Sequence, residues 1–132
     1  MLLSNYYVCR YSAVSIWEIK NIFKVMGMPE SYERGALTEA TYLILISLCE
    51  ERHGYGIMQY ISILTQNRVN LGAGTLYGAI NLLLEKGWIT TAGGNGRKKL
   101  YAISPLGRDA LEVEIERLTE LLKIGKEIFI HK

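Results

Sequence analysis

Apolar residues return at helical spacing in three successive runs, with only short polar gaps between them. From Leu37 to Glu51 the segment built on ATYLILISLC is apolar nearly all round, which predicts a helix buried between other helices. Glu50, Glu51 and Arg52 end it. In HGYGIMQYISILTQ, Ile57, Tyr60, Ile61 and Leu64 fall at i, i+3, i+4 and i+7, the buried face of a second helix. Gly54 and Gly56 let the backbone enter that helix tightly and leave N–H groups that can meet a phosphate. A connection from Asn67 to Leu71 leads to a third helix, in which Leu76, Ala79, Ile80 and Leu83 repeat the spacing and Gly87 is the stop. The pattern then changes. Trp88–Thr91 and Lys99–Ile103 read as strands around the turn Gly93-Gly94-Asn95-Gly96. Ser104-Pro105 pairs a capping hydroxyl with proline at the first helical position, which starts a last helix of about Pro105 to Ile130.

Along that last helix Leu111, Ile115, Leu118, Leu122, Gly125 and Phe129 recur at alternating steps of four and three. They form a heptad seam with Glu112, Glu114, Glu116, Arg117, Glu120, Lys123 and Lys126 beside it. A lone helix cannot bury such a seam, so these six positions are the candidate dimerisation residues. Residues 1–35 are an N-terminal extension, helical or partly disordered. Within it Ile16, Ile19, Phe23 and Met26 fall at helical spacing, and Met26 or Met28 can equally begin a shorter protein. The expected division is thus the extension 1–35, a helical domain with a hairpin at 36–104, and a C-terminal helix at 105–132.

The 132 residues, 49% of them hydrophobic, suffice for one domain with an added assembly helix. A net charge of +2 hides a segregated pattern. Arg68, Lys86, Arg97, Lys98, Lys99 and Arg108 face only Glu85 between residues 53 and 108, while both flanks are slightly acidic. A basic middle of this kind is the footprint of a polyanion-binding surface. Cys9 and Cys49 make no disulfide framework, and Cys49 reads as a small hydrophobe in its helix, so the cytoplasm is the expected compartment. No run reaches the roughly 18 apolar residues of a membrane span, and Arg10, Glu18, Lys20 and Lys24 break any signal-peptide pattern.

These elements predict a mainly α fold with a small β-hairpin wing, a winged helix-turn-helix followed by a dimerisation helix. In such folds the start of the third helix meets base edges and the wing meets the flanking backbone. Gly74, Thr75, Tyr77, Gly78 and Asn81 are then candidate DNA contacts, with Tyr55 at the start of the second helix. Small residues permit close approach, the hydroxyls bond phosphate or base edges, and the Asn81 amide can pair with adenine. In the wing Arg97, Lys98 and Lys99 follow a glycine-rich tip and can reach phosphates or a minor groove. A winged-helix module used for protein contacts, its wing merely solvated, is the alternative. No cofactor, metal site or catalytic residue is expected. His53 and His131 stand in no ligand spacing with the cysteines, His53 reads as a helix-start residue, and the glycines fit no phosphate-loop pattern.

The order and spacing of these segments resemble the PadR family of bacterial transcriptional regulators. LTEATYLILISLCEERHGYGIMQYI is similar to its first two helices, with an HGY element at His53-Gly54-Tyr55. GTLYGAINLLLEKGWI resembles its GTLYPALxRLExxGLI signature, and GRKKLYAISPLGRDAL its wing and the start of its dimerisation helix. The resemblance implies a homodimer that binds an inverted repeat in double-stranded promoter DNA, usually as a repressor released by a small-molecule effector. The single C-terminal helix is like that of the small subfamily that includes multidrug-responsive repressors. Two departures stand out. Gly78 replaces a frequent proline, and Leu118 stands about where drug-binding members carry a tryptophan. Trp17 or tyrosines of the extension are the candidates for lining a pocket instead.

Overall fold

The computed structural model describes residues 36–91, 93 and 98–130. Expectations for the extension 1–35, for Gly94-Asn95-Gly96, for Arg97 and for His131 lie outside the described residues. The helices are α1 (Glu39–Ser47), α2 (Gly54–Leu64), α3 (Ala73–Glu85) and α4 (Pro105–Gly125), and the strands are β1 (Arg52–His53), β2 (Ile89–Thr91) and β3 (Leu100–Ile103). A five-residue π-helical turn, Lys126–Ile130, follows α4.

Each helix start has a local chemical cause. Thr38 Oγ1 accepts the Thr41 N–H ahead of α1 (3.1 Å), and His53 Nδ1 accepts the Gly56 N–H ahead of α2 (3.0 Å). Ser104 Oγ accepts the Gly107 N–H (3.0 Å) with Pro105 at the first turn of α4. Helix α3 stops where Gly87 takes a positive φ of 71°, a conformation that costs glycine little. Helix α1 ends at Ser47, whose carbonyl accepts Arg52 Nε (2.8 Å).

The core is a three-helix cluster closed by the sheet. Ile44, Leu45 and Leu48 meet Ile57 and Ile61 of α2 and Leu76, Ile80 and Leu83 of α3 as buried residues, with Trp88, Ile89, Tyr101 and Ile103 from the strands. Burial of each such aliphatic side chain contributes about 1.5–3 kcal/mol. Three expectations need correction. The outward turn of α2's last residue leaves Leu64 49% exposed. Cys49 falls beyond the end of α1 and is exposed rather than buried in a helix. Glu112 and Glu114, expected beside the seam, are buried, with Glu114 held by two bonds from the Arg117 guanidinium.

The sheet has the order β1-β3-β2 and is antiparallel throughout. Ile89 faces Ile103 and Thr91 faces Tyr101 on one side of β3, while Arg52 faces the same Tyr101 on the other. Strand β1 went unanticipated because two residues have no periodicity. Its pairing makes β3 the central strand and anchors the hairpin to the start of α2.

Where the chain leaves the sheet, the Ser104 N–H donates to the Trp88 carbonyl (2.9 Å) and its hydroxyl donates to the Gly87 carbonyl (2.6 Å). A methyl group on Gly107 would lie 2.0 Å from that Trp88 oxygen, whereas one on Gly78 would meet nothing within 4 Å. The two glycines therefore make opposite predictions. Gly107→Ala should destabilise by 3 kcal/mol or roughly so, since backbone must move, and Gly78→Ala should stabilise by about 0.5–1 kcal/mol. Urea unfolding of both variants checks the signs.

Candidate nucleic-acid interface

Helices α2 and α3 are joined by a tightly tied turn. Gln66 and Asn67 take positive φ values of 52° and 64°, and the Asn67 N–H reaches back to the Ser62 carbonyl (2.8 Å). The Ser62 hydroxyl donates to Asn67 Oδ1 (2.6 Å), and Asn70 Nδ2 donates to the Asn67 carbonyl (2.9 Å). Thr65 Oγ1 donates to the Ile61 carbonyl (2.8 Å) and accepts the Val69 N–H (3.1 Å). These bonds fix the direction in which α3 begins. Gly72 precedes α3 without a side-chain cap, so its first-turn amides carry the helix's positive end toward solvent.

The buried stripe Leu76, Ile80 and Leu83 turns the opposite face of α3 outward. Gly74, Thr75, Gly78 and Asn81 all lie on that exposed face, as their spacing predicted. Tyr77 sits at its border. Its hydroxyl lies where a Cβ on Gly54 would be, only 2.4 Å away, so Gly54 makes room for the ring and Tyr77 keys α3 to the start of α2 while remaining 44% exposed. The HGY element divides accordingly: His53 caps α2, Gly54 receives Tyr77, and Tyr55 points into solvent.

Leu82 was missed by sequence reasoning. It projects from the same outward face, 59% exposed, among residues that otherwise look like core. The signal was present: Thr75, Gly78 and Leu82 stand at i, i+3 and i+7, off the buried stripe. Between Ala73 and Glu85, α3 carries no lysine or arginine.

The cations of the middle segment divide into committed and open groups. Arg52 stacks on the Tyr60 ring at 4.0 Å, Lys86 lies 4.7 Å from the Trp88 ring centre, and Arg68 is paired with Glu39. The hydrogen bond from Arg68 holds the Glu39 carboxyl below the usual range. Lys98 and Lys99 are exposed beside the wing, whose strands are tied by the Leu100 N–H to the Gly93 carbonyl (3.1 Å).

Of the seam, Leu111 is 5% exposed and enclosed within its own chain, and Ile115 is half-buried. Leu118, Leu122, Gly125 and Phe129 are exposed, Phe129 at 85%, and Leu121 and Ile128 widen the apolar stripe. Among the described residues no helix is long and apolar enough to cross a membrane.

Three helices, a helix-turn-helix and a hairpin beside it define a winged helix-turn-helix protein. Residues 43–113 match the Transcriptional regulator PadR-like family, and the chain belongs to it. It is 33% identical over 84 residues to an uncharacterized 37.1 kDa protein in transposon TN4556 of Streptomyces fradiae; the match takes in 63% of this chain but only 24% of that protein. Among solved structures, a transcriptional regulator from Clostridium thermocellum is similar with a TM-score of 0.60 and 24% identity, over 75% of this chain and 98% of that one. A PadR family transcriptional regulator from Eggerthella lenta gives a TM-score of 0.56 and 24% identity, over 84% and 96%. At these identities the two structures speak for the fold.

Burial, with Tyr77 as electrostatic neighbour, raises the Tyr101 phenol above its ordinary value of 10.0. The folded state keeps this proton longer than the unfolded chain does. Its stabilising contribution is therefore complete below the ordinary value and is lost as pH rises through the folded pKa. Urea midpoints between about pH 9 and 11 should fall less steeply for Tyr101→Phe than for the parent. Parallel declines would contradict this.

Proposed function

We propose that this chain is a homodimeric transcriptional regulator that binds an inverted repeat in double-stranded promoter DNA, acting in the cytoplasm as a repressor that a small-molecule effector releases. The observation that carries the DNA reading is the pairing of an outward, uncapped α3 face with an exposed lysine pair at the wing. The first offers short side chains and backbone amides, and the second offers charge for flanking phosphates. Gly74, Thr75, Gly78 and Asn81 face the groove, Tyr55 and the edge of Tyr77 flank it, and Lys98 and Lys99, with Arg97 of the same segment, neutralise backbone. The stripe Leu118, Leu122, Gly125 and Phe129 supplies the dimer contact; Leu111 and Ile115 continue its line toward the domain, where Leu111 already packs at home. Family membership supports the repressor and effector roles.

Sedimentation and footprinting test this together. The expected result is a dimer protecting two half-sites one or more helical turns apart. A monomer at micromolar concentration, or no binding to any duplex at low salt, would overturn it. Lys98→Ala with Lys99→Ala should leave the dimer intact and reduce the salt dependence of binding by roughly 0.9 in log–log slope for each lost phosphate contact. Unchanged binding would favour a protein-contact role for the wing. Leu122→Asp with Phe129→Asp should dissociate the dimer and weaken operator binding by tenfold or more, on the order of 1.4 kcal/mol.

A further inference from the structure

Leu82 presents a large apolar side chain to solvent on the outward side of α3, 59% exposed, one residue beyond Asn81 at the C-terminal edge of the face assigned to DNA. Its neighbours on that face are equally specific in what they leave out. The commonest protein reading of guanine is an arginine or lysine bidentate to O6 and N7. No such residue lies on α3, and the nearby cations Arg52, Arg68 and Lys86 are held by Tyr60, Glu39 and Trp88. Asn81 offers the donor and acceptor pair that matches adenine N7 and N6. Thr75 and Leu82 offer methyl groups, which match the thymine C5-methyl. Gly74 and Gly78 bring no Cβ between the helix and its target, so side chains as short as these can reach base edges. Glu85, one turn beyond Asn81, carries a charge that phosphates repel and marks the end of the reading surface.

We infer that α3 reads adjacent A·T pairs, with Asn81 on adenine and Leu82 on the thymine methyl, as the residues that determine operator sequence. This rests on the DNA-binding reading above, in which affinity comes from the wing and sequence choice from α3. Discrimination by Leu82 is then a matter of a single methyl group. Burying one is worth about 0.8 kcal/mol, or roughly fourfold in affinity per half-site.

The test starts with selection of bound duplexes from a random pool by the full-length protein. The selected half-sites should carry A·T pairs at their centre. Replacing each central thymine by uracil, which removes only the methyl, should weaken binding by about three- to fivefold at one position per half-site. Leu82→Ala, a surface change that leaves the core intact, should bind the thymine and uracil duplexes equally. Asn81→Ala should lose its preference for A·T over G·C at the neighbouring pair by about fivefold or more. Selection of G·C-centred half-sites, or a thymine preference that survives Leu82→Ala, would overturn the assignment while leaving duplex binding in place. Failure to bind any duplex would remove the reading it rests on, and the assignment with it.

Discussion

The crossing of Ser104 and Gly107 over Gly87 and Trp88 determines how the parts of this molecule are set against one another. Four elements begin or end within those residues: α3 stops at Gly87, β2 follows Trp88, β3 arrives at Ile103, and α4 starts on Ser104. The serine uses its hydroxyl twice, as donor to the Gly87 carbonyl and as acceptor for the Gly107 amide, while its own N–H holds the Trp88 carbonyl. Next to it the Ile103 N–H donates to the Leu48 carbonyl (2.8 Å), which ties the end of β3 to the end of α1. The backbone of α4 approaches Trp88 so closely that only glycine fits. A change in the direction of α4 therefore has to displace the start of the wing and the end of α3 together.

Much of this arrangement was legible in the chain because it is local. The three helical stripes, the Gly87 stop and the Ser104-Pro105 start depend on residues near one another in the chain, and apart from Leu64 at the end of the second stripe they were found where the pattern placed them. What escaped was set by contacts distant in sequence. Strand β1 exists only because β3 lies beside it, and Tyr77 acquires its packing role only because Gly54 of another helix has no side chain. Leu82 was hidden for a different reason. In the run Leu82-Leu83-Leu84 composition says core throughout, and only the angular step of about 100° per residue separates the exposed position from its buried neighbour. Leu64 and Cys49 show the same effect at helix ends, where extending a periodic pattern one residue too far reverses the expected environment.

The charge pattern also changes meaning once folded. Six cations in the middle of the sequence suggested one basic surface, yet two of them, Lys86 and Arg68, are occupied by an aromatic ring and a carboxylate, and Arg52 just before them stacks on Tyr60. Such pairings at the surface are individually weak, about 0–1 kcal/mol, but they give these side chains partners within the fold. Lys98 and Lys99 stand exposed beside the wing, while α3 carries no lysine or arginine and a single carboxylate at Glu85. On the proposed reading, salt would act on how tightly the protein holds DNA more than on which sequence it prefers.

Helix α4 has a similar division along its length. Its first turns, from Leu106 to Ile115, are buried or half-buried, and from Leu118 onward its apolar stripe is open. A heptad pattern does not distinguish these halves, because the spacing that suits a partner helix also suits the helix's own domain. The division has a mechanical result. The inner half is welded to the junction at Gly107, so in the proposed homodimer the pairing of the outer halves would hold the two α3 helices at a defined separation. On that proposal, half-site spacing would follow from the length and angle of this helix. A ligand that altered that angle would act on DNA without touching α3.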